Sequence, residues 1–392
     1  MYASKTTHTV PPADHRLEVV ADEPALLALA ERLAQEPLVA LDTESNSLYA
    51  YRERVCLIQF SVPGVDYLVD PLSLRDLTPL QPIFESETVE KVVHAADYDL
   101  MVLRRDFGFV TRHIFDTMWA ARVLGWPKVG LGDILNSLFG VSLNKRYQRY
   151  NWGKRPLDPK ALRYAWMDSH YLLPLREIQL KELRETGRLE EAREIFTYLA
   201  QTASELQPDK VDHRFWRIKG GQRLSLEDQR RLYQLYLWRE RTAEALDRPP
   251  MKVLSNALLV RLVHVRPRSR QELFDAGLSA GQVRRFGSQL LKLFRDTQLP
   301  DLPAHTPSVH HDDVTQMRFE ALRSWRREIA WLRGVDPDVI LPNAVLWQLA
   351  AHPPVDREAL AQIPGIGPWR LRTYGADLLQ LIHQPAQGRR TA

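Results

Sequence analysis

Cysteine is nearly absent: Cys56 is the only one in 392 residues. An intrachain disulfide is therefore excluded, and the chain reads as one made for a reducing compartment. Cys56 lies in the strand-like run Val55-Cys56-Leu57-Ile58, which suits a buried structural thiol rather than a nucleophile. No apolar run approaches the roughly 20 residues that cross a bilayer. The first residues, Met1 to His15, are polar, hold two prolines and lack the apolar core of a secretory leader. A cytoplasmic protein with no membrane partner is expected. Histidines cluster only at His305, His310 and His311, in a Pro-rich linker and without metal-ligand spacing.

What remains is an ordinary globular composition, 44% hydrophobic and 26% charged, in a chain long enough for two or three domains. The net charge of +4 hides an asymmetry. Residues 1–212 are acidic, with 25 Lys+Arg against 31 Asp+Glu; residues 213–300 are basic, with 18 against 8; residues 301–392 are balanced, with 10 of each. A basic segment beside an acidic one suggests a polyanion-binding module joined to a metal-handling one.

Leu38-Val39-Ala40-Leu41 runs straight into Asp42-Thr43-Glu44. A short apolar run bounded by Pro37 reads as a buried strand, and residues two apart on a strand share a face. Asp42 and Glu44 therefore present two carboxylates together, as a solvated strand end or as half of a divalent-metal site. Further strands are expected near 17–20, 55–62, 67–69 and 89–94, with helices over 23–35 and 76–84, the pattern of a mixed-sheet α/β domain. Asp97 and Asp99 open a helix that runs to about Phe107; helix-capping explains both, and is preferred for Asp97. His94 is a hydrogen-bonded strand end. Asp116 caps the next helix or supports the site. Pro159 starts one long helix to Leu180, on which Tyr164 and Asp168 are four apart and share a face. Lys145, Arg146, Arg149, Lys154 and Arg155 alternate with Tyr147, Tyr150 and Trp152, either a groove for single-stranded nucleic acid or a solvated loop over packed rings. The C-terminal half is helical, and residues 226–298 and 318–383 suggest a divergent repeat. Gly365 and Gly367 suit a phosphate-binding hairpin or a tight turn, the turn being preferred.

Asp42 and Glu44, then Asp99, then Tyr164 with Asp168, resemble the three motifs of the DEDD superfamily of 3′→5′ exonucleases. Arg163 stands where one subclass has histidine, so the tyrosine subclass is the closer match. Asn151-Trp152-Gly153-Lys154-Arg155-Pro156-Leu157 is similar to the segment before the third motif in the ribonuclease D family. Both helical segments resemble HRDC domains, the second through Ile363-Pro364-Gly365-Ile366-Gly367-Pro368-Trp369-Arg370. The resemblance implies an α/β plus all-α chain: a ribonuclease H-like exonuclease domain over 1–212, a basic HRDC-like domain over 213–300, a linker over 301–313 and a second HRDC-like domain over 314–392. It implies catalysis by Asp42, Glu44, Asp99, Tyr164 and Asp168, with the four acids holding two Mg²⁺ or Mn²⁺ ions. It further implies processing of tRNA and other structured RNA; a monomer is expected. Lys145, Arg146, Arg149, Tyr150, Trp152, Lys154 and Arg155 are the expected substrate contacts, and Arg230, Arg231, Arg239, Arg261, Arg266, Arg268 and Arg270 the phosphate contacts of the basic module. RNA with a free 3′ end is the expected partner. A DNA exonuclease and an inactive nucleic-acid-binding protein are the competing readings.

Overall fold

The computed structural model describes residues 16–144, 146–205, 211–304 and 312–383. Lys145 and the linker histidines lie outside them. Two compact units result. Among the described residues, one combines 16–44, 55–205 and 312–383; the other combines 45–54 with 211–304.

The first unit begins with β1 (Arg16–Val20) and α1 (Glu23–Ala34). Asp22 caps α1 by accepting the Ala25 N–H at 3.0 Å, with Pro24 in the first turn. β2 (Leu38–Ser45), β3 (Val55–Val62), β4 (Val65–Val69), α2 (Gln81–Glu85) and β5 (Glu90–Val93) follow. The β3–β4 hairpin turns at Pro63-Gly64, where φ of +85° requires glycine. α3 (Asp97–Phe107), β6 (Ile114–Asp116), α4 (Thr117–Leu124), α5 (Leu131–Phe139), α6 (Pro159–His170), α7 (Leu172–Glu185) and α8 (Leu189–Glu205) complete the α/β part.

The six strands are ordered β1-β4-β3-β2-β5-β6. β3–β4 is antiparallel, whereas β1–β4, β2–β5 and β5–β6 are parallel. This is the expected mixed sheet of a ribonuclease H-like fold. β3 is buried along its whole length, and the Cys56 thiol within it is buried as well. The expected single helix from Pro159 to Leu180 is two, parted at Tyr171. Pro174 supplies the reason: it has no N–H for the His170 carbonyl, and its ring crowds that carbonyl. The helix over 76–84 is a 3₁₀ turn at 78–80 followed by α2. α5 escaped the sequence reading, although Leu131, Ile134, Leu135 and Leu138 carry helical spacing.

In the second unit, α9 (Val211–Trp216) leads to a module of α10 (Leu226–Ala245), α11 (Pro250–Val253), α12 (Asn256–Val265), α13 (Arg270–Asp275) and α14 (Ala280–Arg295). The loop over 45–54 belongs here. Asp247 accepts the Tyr51 N–H at 3.0 Å, Arg52 pairs with Glu244 at 2.8 Å, and Lys252 sits 4.1 Å over the Tyr49 ring. Asn46 closes the loop's neck by accepting the Arg54 N–H.

A second module in the first unit has the same helix order: α15 (Asp313–Arg333), α16 (Pro337–Ile340), α17 (Asn343–Ala351), α18 (Arg357–Ala361) and α19 (Pro368–His383). A buried arginine marks the repeat. Arg239 on α10 donates to the Leu254 carbonyl and the Asn256 amide oxygen; Arg326 on α15 donates to the Leu341 carbonyl and the Asn343 amide oxygen. Each ties the long helix to the turn between the next two.

This second module docks on α8. Arg333 grips the wholly buried Glu191 carboxylate with both terminal nitrogens, at 2.7 and 2.5 Å. Glu194 accepts the Trp369 N–H at 2.8 Å and the Arg370 N–H at 3.3 Å. A Cβ on Gly367 would come within 2.4 Å of that carboxylate, so glycine is needed for this approach. The Gly365-Gly367 hairpin therefore serves as a turn whose exposed helix start is satisfied by the chain's own anion.

Candidate active site

Asp42 and Glu44 leave the end of β2, and Asp168 comes from the last turn of α6. One carboxylate oxygen from each lies within 4.8 Å of the others. Tyr164, one turn earlier on α6, hydrogen-bonds Asp168 through its hydroxyl. Asp99, in the first turn of α3, stands outside that triad and accepts a hydrogen bond from Thr43, between Asp42 and Glu44 on β2.

The electrostatics follow from burial and crowding. Burial first, then Asp99, Asp168 and Glu44, raise Asp42 well above the usual carboxylate range. Burial, then Asp168 and Asp99, raise Glu44 likewise. Asp99 and Asp168 are each pushed up to about 7, chiefly by burial. Burial and the three nearby carboxylates push the Tyr164 phenol up as well, so it stays protonated. An all-oxygen set of mutually repelling acids fits a hard divalent cation, which would offset the repulsion and favour oxygen ligands.

Asp116 supports this arrangement, buried at the end of β6. It caps α4 by accepting the Met118 and Trp119 N–H groups, and it also accepts those of Ala95 and Ala96. The second pair holds Ala95 at a φ of +60° and thereby sets where α3 begins, two residues before Asp99. Asp97 and Asp99 both lie in the first turn of α3, as expected of acids favoured by the helix dipole; the cap position itself is occupied by Ala96, and Asp97 is exposed. Burial lowers His94 to about 4, so its imidazole is neutral. Its Nδ1 lies 2.9 Å from the Thr117 hydroxyl, whose own hydrogen goes to the Val93 carbonyl.

The basic-aromatic segment divides in two. Arg146, Arg149 and Lys154 are exposed. Trp152 is not a stacking platform: it is 1% exposed, within a cluster that includes Leu57, Leu68, Ala161, Tyr164 and Ala165. Arg155 is not a free phosphate contact either, since it clasps Asp70 at 2.6 and 2.7 Å and donates to the Cys56 carbonyl. Tyr150 packs edge-on against Trp152 and accepts the N–H of Asp158, the cap of α6. These residues seat the helix that carries Tyr164 and Asp168. Arg239 of the basic module is likewise buried, whereas Arg261, Arg266, Arg268 and Arg270 are exposed.

Residues 17–184 match the 3′-5′ exonuclease family, and residues 228–293 and 315–382 each match the HRDC domain. Ribonuclease D of Cronobacter turicensis is 30% identical over 283 residues, which cover 71% of this chain and 76% of that one. The chain belongs to the ribonuclease D family. A second ribonuclease D, from Haemophilus influenzae, is 28% identical over 84% of each chain. Among solved structures, Escherichia coli RNase D, described as an exoribonuclease involved in structured RNA processing, superposes with a TM-score of 0.65 at 25% identity, over 93% of this chain and 98% of that one. Family membership makes this chain a 3′-5′ exonuclease of the ribonuclease D type, a hydrolase with two HRDC domains. Its exonuclease and HRDC domains imply a nucleic-acid substrate. Among the described residues no helix is long and apolar enough to cross a membrane.

Proposed function

We propose that the chain is a cytoplasmic exoribonuclease that removes nucleoside 5′-monophosphates one at a time from RNA 3′ ends, in the maturation of tRNA and other structured RNA. The observation that carries this reading is the convergence of Asp42, Glu44 and Asp168 at the end of β2, with Tyr164 bonded to Asp168. Asp42, Glu44 and Asp168 would hold one Mg²⁺ or Mn²⁺ ion, and Asp42 with Asp99 a second. Such ions, when bound, stabilise the charge that develops on the attacking and leaving oxygens of a phosphodiester. Tyr164, kept protonated, orients the attacking water through its hydroxyl. Asp116 holds the α3 start from which Asp99 projects. Arg146, Arg149 and Lys154 draw in the substrate backbone.

The division of labour keeps the boundaries read from the sequence: exonuclease over 1–212, a basic RNA-binding module over 213–300, a linker over 301–313 and a second module over 314–392. Arg261, Arg266, Arg268 and Arg270 make the first module the backbone contact, with binding that weakens as salt rises. The balanced charge of the second module and the docking of its hairpin on Glu194 favour a packing role.

The test is digestion of matched RNA and DNA strands, with free or blocked 3′ ends and added Mg²⁺. RNA with a free 3′ end should be shortened stepwise by the wild type and left intact by Asp42→Ala. Full activity in Asp42→Ala would overturn the site, and a faster rate on DNA would favour a DNA exonuclease.

A further inference from the structure

α6 carries both Tyr164 and Asp168, so its rotation about its own axis decides whether they meet the pair on β2. A helix packed on a sheet only through apolar side chains tolerates small shifts, because such contacts are not directional. α6 is held differently. Immediately after Asp168 come Ser169 and His170, both buried. The Ser169 hydroxyl lies 2.8 Å from that of Ser61 on β3, and His170 Nδ1 lies 2.8 Å from a carboxylate oxygen of Asp66 on β4. Facing a carboxylate, Nδ1 is the nitrogen that carries hydrogen. The His170 and Asp66 side chains are only 3% and 2% exposed, so this bond is shielded from water.

Ser61 and Asp66 are direct partners across the β3–β4 ladder. One cross-strand pair thus grips two consecutive helix positions. The same face of β3 continues beneath α6, since side chains alternate along a strand. Leu57, four residues before Ser61, packs in the cluster of Ala161, Tyr164 and Ala165. Gln59 lies between them on β3. Gln59 is fully buried, and neither its amide oxygen nor its nitrogen has a partner among the described residues. Burying polar groups costs more than burying apolar ones, and the Ser61–Ser169 and Asp66–His170 bonds of this seam are directional, so they favour a single rotation of α6.

We infer that Ser61, Asp66, Ser169 and His170 are positioning residues for exonucleolytic cleavage: they fix the rotation of α6 and so hold Tyr164 and Asp168 at the end of β2. The inference rests on the assignment of Tyr164 and Asp168 to the reaction.

The test uses the full chain with Asp66→Leu, Asp66→Asn and His170→Leu. Single-turnover RNA cleavage, KM, Mn²⁺ affinity by electron paramagnetic resonance and thermal melting are measured for each, well below its melting point. Asp66→Leu and His170→Leu should lower the cleavage rate and the Mn²⁺ affinity by roughly 10–100-fold with KM unchanged. Asp66→Asn, which keeps an acceptor oxygen opposite Nδ1, should recover most of both. A seam that only adds stability predicts a lower melting point with wild-type rate and Mn²⁺ affinity, and that result overturns the inference. Where a leucine variant does not fold, Ser169→Ala takes its place: a slower rate and weaker Mn²⁺ binding support the inference, and wild-type values refute it. A wild type with no metal-dependent cleavage would refute the site assignment instead, and the Mn²⁺ affinities would still judge the seam.

Discussion

Substituting Asp168 by asparagine separates what the site does for function from what it does for stability. The Asp168 carboxyl ionises near 7 instead of at the ordinary 3.8, because it is buried and close to Asp99, with the Tyr164 hydroxyl pulling the other way. Between those values the folded chain holds a proton that the unfolded chain has released. The stabilisation is fully present below the unfolded value and is lost as pH rises through 7. About three pH units at about 1.4 kcal/mol each make this roughly 4 kcal/mol for the carboxyl. Asparagine has no proton to lose. In EDTA at pH 8, Asp168→Asn should therefore be more stable than wild type by up to that amount, and the gap should close by pH 4. Urea denaturation across that range, followed by tryptophan fluorescence, reads the difference. Mg²⁺ at pH 8 should raise the wild-type midpoint, hardly move that of the variant, and support RNA digestion only in the wild type. A metal-free wild type with a flat midpoint from pH 4 to 8, or a variant less stable at pH 8, would refute this account of the acids.

Tyr164→Phe removes the hydroxyl and keeps the ring within its cluster, so cleavage should slow while Mn²⁺ affinity is largely kept; loss of Mn²⁺ binding would contradict the water-orienting role. Arg333→Met strands the buried Glu191 carboxylate and should cost about 3–5 kcal/mol, most of it recovered by adding Glu191→Leu. A single variant as stable as wild type would show that this ion pair does not anchor the second module. Replacing Arg268 and Arg270 by alanine should weaken RNA binding and flatten its salt dependence, by about one unit of log–log slope for each phosphate no longer neutralised; an unchanged slope would remove these residues from the interface.

The readable parts of the site were those set by local periodicity. A strand's alternation brought Asp42 and Glu44 to one face, and a helix's turn did the same for Tyr164 and Asp168. Asp99 was harder, because an acid in a first helical turn has a sufficient reason to be there as a favourable charge; only its place in the motif order distinguished it from Asp97. Trp152 and Arg155 are ambiguous in the sequence because a tryptophan that packs beneath a helix and one that stacks on a base have the same local sequence. Burial alone separates them. The Ser61–Ser169 and Asp66–His170 bonds join residues some hundred positions apart and leave no periodic trace, and the same holds for the Glu194 cap on α19. The break at Tyr171 was legible in Pro174 but masked by the apolar spacing that continues through it.

The loop over 45–54 bears on what can be removed from this chain. It leaves β2 directly after Glu44, yet Tyr51 and Arg52 are bonded to α10 and the turn after it, from a different stretch of sequence. A shortened chain ending at residue 212 would keep the loop and lose its support, exposing the Tyr51 ring and leaving Arg52 without Glu244. The first module is thus no detachable appendix. Gene fusions and truncations that treat 1–212 as self-sufficient would unmoor the segment that follows Asp42 and Glu44, so lost activity in such a chain need not mean lost RNA binding.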